Sequence, residues 1–429
     1  MSPMLLAVLS IVVLLVLIFL RMPISFALFA VGLSGMVIFA GPGAALQLIA
    51  SDIYRQASSY SMVVIPLFIF MGQVIFNSGM STKLFNSAYK WLGHFPGGVA
   101  ATTIAASAAF SAVSGSNAAA TATMGAIAIP EMKKYGYDKK FAGGTVAIGG
   151  TLGILIPPST ALIIIAVQSE QSITTLFRAA LFPGVLVGTL LVITALVVAW
   201  RKPALGPVGP KATWGERFRS LGGTVEIAVI FVFAVVGMFV GWFTPTEAAG
   251  VGAAGAVLIA VLTRSLTWAA FRRSVTETLR ISAFVVLLVV GAVAFGRFLT
   301  LTRMPFELAD SVQALPVAPV VVLLIVLLIY LLGGALMDGL GFLVISIPLF
   351  FPLLSALGYD LVWTTIIVAL VTTLGAVTPP IGVNAFIVTG IDPDISIVDT
   401  FRGVAPYFVP YVLVIAAFIV WPGLILFAA

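Results

Sequence analysis

Apolar runs long enough to cross a bilayer fill most of this chain, and most charged residues fall in the short intervals between them. The runs cover roughly 4–20, 24–40, 62–79, 98–130, 141–168, 176–200, 224–241, 246–262, 281–299, 316–354, 362–390 and 404–428. As a helix, about 20 apolar residues match the hydrocarbon thickness of a membrane, so the pattern predicts an all-α integral membrane protein with many spans. Stretches 81–97 and 264–280 mix Trp91 and Trp268 with Lys and Arg, which predicts amphipathic helices in the interface plane. Arg201 to Gly222, with Pro203, Pro207 and Pro210, reads as the one linker.

Motifs in the first half return 222 residues later: Pro23 with Pro245, Gly136-Tyr137-Asp138 with Gly358-Tyr359-Asp360, Thr151-Leu152-Gly153 with Thr373-Leu374-Gly375, and Pro157-Pro158 with Pro379-Pro380. Such an echo in an apolar sequence predicts a duplicated membrane unit, the sequence mark of secondary transporters. The halves are 1–205 and 223–429, joined by a cytoplasmic linker at 206–222. In each half one apolar run is interrupted. Ser114-Gly115-Ser116-Asn117 divides 98–130 into arms of about 16 and 13 residues, too short to cross, which predicts a re-entrant hairpin. Leu336-Met337-Asp338-Gly339 is the matching interruption and predicts a second hairpin, 316–354. The double prolines break the spans 141–168 and 362–390.

With 61% hydrophobic and 8% charged residues the chain cannot form a water-soluble globule. The formal charge of +6 reports topology, not nucleic acid, because the basic residues sit in interhelical loops. Placing the N-terminus outside puts Lys83, Lys133, Lys139, Lys211, Arg272 and Arg402 inside with most other basic residues. Only Arg55, Arg178, Arg297 and Arg303 remain outside. The two repeats then have inverted topology, one hairpin entering from each face. The first apolar run reads as a retained span, not a signal peptide. There is no cysteine, so no disulfide and no thiolate metal site.

In hydrocarbon, unwound backbone is tolerated only where protein or a water-filled cavity satisfies it. The two tips and two broken spans are therefore expected to meet, and proline frees carbonyl oxygens there. Carbonyl, hydroxyl and amide oxygens suit a hard monovalent cation, while half-helix N-termini suit a carboxylate. Asp338, an acid within a tip, is a functional candidate, with a helix cap as its plain alternative. Asn117 and Asn384 read as ligands or as interhelical hydrogen bonders. Thr244-Pro245-Thr246-Glu247 predicts a capping box. Enzymatic readings fail: His94 is the sole histidine, no P-loop is present, and Ala112 stands where a Ser114 protease motif needs glycine. A passive channel is the remaining rival class.

The motifs Phe110-Ser111-Ala112-Val113-Ser114-Gly115-Ser116-Asn117, Gly153 to Ser159 and Gly375 to Asn384 resemble the large membrane subunit of tripartite ATP-independent periplasmic (TRAP) transporters. That resemblance implies an elevator-type carrier in the bacterial inner membrane, using Na+ as coupling ion and no other cofactor. The implied partners are a small four-helix membrane subunit, a periplasmic substrate-binding protein and an organic acid substrate such as a C4-dicarboxylate or sialic acid. It further implies that Ser114, Gly115, Ser116, Asn117, Thr151, Gly153 and Pro157 frame one sodium site. Asp338, Gly339, Thr373, Gly375, Thr378 and Pro379 frame the other, and Ser114, Ser116, Asn117, Ser159, Asp338 and Asn384 face substrate. A stand-alone Na+-coupled dicarboxylate carrier is the alternative.

Overall fold

The computed structural model describes residues 2–427 and is helical throughout, with no strand among them. The first part of the chain forms α1 (Pro3–Phe19), α2 (Ile24–Ala40), α3 (Pro42–Ala57), α4 (Val64–Asn77), α5 (Met80–Leu92), α6 (Gly98–Ser114) and α7 (Asn117–Lys134). The first broken span follows as α8 (Lys139–Gly150), α9 (Leu152–Leu155) and α10 (Thr160–Gln168), leading to α11 (Ile173–Arg201). Next come α12 (Trp214–Phe231), α13 (Gly237–Val240), α14 (Pro245–Leu262), α15 (Trp268–Leu301) and α16 (Met304–Gln313). The chain closes with α17 (Pro319–Leu336), α18 (Gly339–Ala356), α19 (Leu361–Gly375), α20 (Val383–Ile391), α21 (Ile397–Val420) and α22 (Gly423–Leu426). Nine helical stretches among the described residues are long and apolar enough to cross a membrane.

Local chemistry sets the boundaries. The Thr244–Glu247 capping box forms as expected: Thr244 Oγ1 accepts from Glu247 N, and Glu247 Oε2 accepts from Thr244 N at 2.8 Å. The stretch 139–168 is the buried axis of the molecule, 94% of its most apolar window lying inside the protein. Small residues let the other helices close on it. A Cβ on Gly144 of α8 would stand 2.1 Å from the Gly403 carbonyl carbon of α21. Similarly, Gly32 of α2 lies against the α15 backbone at Ala294 and Phe295. Association between apolar helices in lipid rests on such close backbone approach.

Three expectations change. Stretch 264–280 is not a separate interfacial helix: from Trp268 it continues into α15 without a break. No proline or glycine stands between Trp268 and Arg280, whereas Ser58 and Ser59 separate α3 from the segment leading into α4. Helix α3, absent from the apolar runs, carries Asp52, which receives Arg297 Nε at 2.7 Å and Nη2 at 2.6 Å. Arg297, placed in an outer loop region by its charge alone, is thus an ion-paired side chain. Finally, α12 begins at Trp214, inside the expected linker, and the remaining linker is docked. Gly206 O accepts from Gly97 N, Leu205 O from Asp138 N, and Gly93 O from Gly209 N.

At the end of α7, Lys133 Nζ meets Asp392 at 2.6 Å and Asp394 at 2.9 Å, and at the start of α8, Lys139 Nζ meets Asp399 at 3.4 Å. Hydrogen bonding to Lys133 is the main cause that lowers the Asp394 pKa below the usual carboxylate value. This attraction is therefore complete above the unfolded carboxylate range, near pH 4, and fades as pH falls through the depressed folded value.

Candidate functional site

Four helix starts face one cavity of about 560 Å³. Asn117 opens α7, Thr160 opens α10, Gly339 opens α18 and Val383 opens α20, and all four line it. Each start is created by a local break. Gly115 takes φ +60, which turns the chain between α6 and α7. The stretch 156–159, with its cis Pro157–Pro158 bond, separates α9 from α10. Met337 and Asp338 adopt extended or non-helical backbone between α17 and α18. The stretch 376–382, with its cis Pro379–Pro380 bond, separates α19 from α20.

Three side chains from the sequence analysis cap these starts. Ser116 Oγ accepts from Ala119 N at 3.4 Å, Ser159 Oγ from Leu162 N at 3.4 Å, and Asp338 Oδ2 from Gly341 N at 3.3 Å. The cap reading of Asp338 is thus realised, and its carboxylate is also exposed to the cavity. The two asparagines knit the breaks together. Asn117 Oδ1 accepts from Ile154 N at 2.9 Å, and Asn384 Nδ2 donates to Ala147 O at 3.0 Å. Asn117→Ala is expected to leave the Ile154 N–H without this partner and cost about 1–3 kcal/mol, read as a lower melting temperature of the purified protein.

The cavity gathers Ser114, Gly115, Ser116, Asn117, Asp338, Gly339 and Asn384. Thr151, Gly153, Pro157 and Ser159 do not line it. They form its backing: a Cβ on Gly153 would stand 2.5 Å from the Ser116 carbonyl carbon, and one on Gly115 2.7 Å from Pro158 O. Thr373, Gly375, Thr378 and Pro379 do not line it either, and a Cβ on Gly375 would meet Leu331 O and Ala335 N of α17. The two breaks differ in surroundings, since Pro157 and Pro158 are buried while Pro379 and Pro380 are exposed. Ser114 Oγ is buried without a hydrogen-bond partner and so has lone pairs to offer a ligand. Thr151 Oγ1 is instead engaged by Tyr411 Oη at 2.7 Å and by Ile148 O at 2.6 Å.

Sequence reasoning missed Gln73, Thr123, Arg273 and Glu277, which also line the cavity. The i, i+4 spacing of Arg273 and Glu277 on a helix is legible in the sequence. Which way that face points is not, because α4 decides it.

A bundle of apolar helices around a chamber built from helix breaks is a multi-pass membrane protein. The chain matches the family "Tripartite ATP-independent periplasmic transporter, DctM component" over residues 11–424, and it belongs to that family. It is 32% identical to the sialic acid TRAP transporter large permease protein SiaM of Vibrio cholerae, across 95% of this chain and 94% of that protein. It is 31% identical to the C4-dicarboxylate TRAP transporter large permease protein DctM of Pseudomonas aeruginosa, across 84% and 85%. The fold is similar to that of the Alcanivorax borkumensis YdaH transporter, with TM-score 0.65 at 14% identity and coverage of 90% and 89%.

Proposed function

We propose that this chain is the transmembrane permease subunit of a Na+-coupled TRAP transporter of the bacterial inner membrane. It imports a carboxylate-containing solute, a C4-dicarboxylate, sialic acid or related organic acid, delivered by a periplasmic binding protein, and works with a small four-helix membrane subunit. The observation that carries this reading is the convergence of four helix N-termini on one chamber, since each places partial positive charge and free N–H groups there for an anion. Sodium travels as co-substrate, and the hydroxyl and carbonyl oxygens of the tips and breaks are the ligands it prefers.

Two inverted repeats account for the element order. At the 222-residue spacing α6 matches α17, α7 matches α18, α8 matches α19, α10 matches α20 and α11 matches α21. In that topology the first broken span runs outward and the second inward, so the start of α8 and the end of α20 share the inner face. The Lys133 pairs with Asp392 and Asp394 support this. The Asp52–Arg297 pair likewise supports a shared face for the end of α3 and the end of α15. The elevator mechanism follows as motion of the hairpins and broken spans against α2, α4, α14 and α15.

Reconstitution with both partner subunits tests the function: uptake of sialic acid or succinate is expected only with sodium and with the binding protein present. Strong uptake by this chain alone would favour a stand-alone carrier, and solute-independent current would favour a channel. For topology, cysteines replacing Lys139 or Lys211 are expected to be shielded from impermeant thiol reagents in intact cells, and one replacing Gly358 to react. Reaction at residue 139 from outside rejects the inverted arrangement.

A further inference from the structure

The chamber has two unlike walls. One carries the helix starts at Asn117, Thr160, Gly339 and Val383; the other is α15, which contributes Arg273 and Glu277 and then Ile281, Phe284 and Val285. Arg273 is the one basic side chain among the described residues that line the chamber. Its direction is held by its neighbour. Ser274 Oγ donates to Gln73 O at 3.1 Å and accepts from Asn77 Nδ2 at 3.0 Å, which turns that face of α15 onto α4. Arg273 and Glu277 are left facing the chamber, Arg273 exposed and Glu277 half-buried. Neither forms an ion pair with any described residue.

We propose that Arg273 is a second carboxylate contact, set between the helix-start site and the cytoplasmic mouth of the chamber, and that Glu277 competes with the solute for its guanidinium. The inference rests on the permease reading above. A guanidinium takes a carboxylate through two parallel N–H donors, so a solute leaving the helix starts meets a planar fork rather than bare hydrocarbon. Such a contact would trap its cargo if nothing displaced it. Glu277, one helical turn away, offers a carboxylate of the same kind within reach of the same side chain. The guanidinium is unpaired when the solute arrives, and Glu277 takes it over as the solute departs, which makes the hold brief. The two residues therefore have opposite effects: removing Arg273 weakens the inner contact, and neutralising Glu277 prolongs it.

The cysteine-free chain permits a direct test. In the assembled transporter, Ala122→Cys places a thiol on the chamber lining, to be modified by methanethiosulfonates carrying either a sulfonate or a trimethylammonium group. The ratio of anionic to cationic rates is expected to fall about three- to tenfold in Arg273→Gln at low ionic strength, to persist in Arg273→Lys and to rise in Glu277→Gln. Protection of the thiol by internal succinate or sialic acid is expected to need several-fold more solute in Arg273→Gln, less in Glu277→Gln, and an intermediate amount in Arg273→Lys, which keeps charge but not the fork. An unchanged rate ratio in Arg273→Gln, or equal protection in Arg273→Gln and wild type, overturns the proposal. Failure of the permease reading shows separately, as absence of sodium-driven uptake of either acid by the wild-type complex.

Discussion

Asp338→Asn is expected to raise the sodium concentration for half-maximal uptake about ten- to a hundredfold, equivalent to about 1.4–2.8 kcal/mol of lost ion binding. The substitution separates two roles that the wild-type carboxylate combines. As a cap, Asp338 accepts from Gly341 N, and asparagine caps a helix start equally well. As a charge, Asp338 lines the chamber together with Ser114–Asn117, where an amide cannot replace the attraction of a carboxylate for a cation. Fold stability should therefore stay near wild type while the sodium curve moves. Asp338→Ala should lose both, adding about 1 kcal/mol of destabilisation in thermal unfolding. Because ion and solute favour the same arrangement, solute affinity at subsaturating sodium should fall in parallel and recover as sodium rises. Sodium dependence that does not move in Asp338→Asn would leave Asp338 with the cap alone.

Gly144→Ala is expected to be the most damaging single methyl group in the chain's axis. The added Cβ would lie 2.1 Å from the Gly403 carbonyl carbon and 2.5 Å from both Gly403 O and Val404 N. All three atoms are backbone, so no side chain can swing away, and α8 must separate from α21. Overpacking of this kind costs about 1–3 kcal/mol and more where backbone must shift. Uptake should collapse with it, since α8 leads into the break at residues 156–159. Gly255→Ala supplies the control: nothing beyond its own turn of helix lies within 4 Å of its Cβ, and alanine is the better helix former by about 1 kcal/mol. A melting temperature for Gly144→Ala equal to that of Gly255→Ala would mean that α8 and α21 do not meet as described.

Local features carried far into the structure. The interruption at Gly115 and Ser116 was legible because serine and glycine there end one apolar run and open another, and the helices do stop at Ser114 and restart at Asn117. The double prolines marked the other breaks for the same reason, as proline removes the N–H that a continuing helix needs. Helix α3 escaped notice because its apolar face is only one side of an amphipathic helix, with Asp52 and Arg55 in its last turns. The continuity of α15 escaped because composition changes from polar to apolar at about residue 280 while helical propensity does not.

By itself the sequence determined where the chain is apolar, where helices must stop and which residue types stand at each stop, all of which depend on neighbours a few positions away. The tertiary structure alone decided which stops share a chamber. It placed Asn117 against Ile154, Asn384 against Ala147 and Asp52 against Arg297, and it sent Thr151, Gly153, Thr373 and Gly375 behind the lining instead of into it. It also turned Arg273 and Glu277 inward through a contact between Ser274 and α4. The reason is physical: a helix presents every side chain along its surface, and only the neighbours packed against it determine which of them face a cavity, a helix or the lipid.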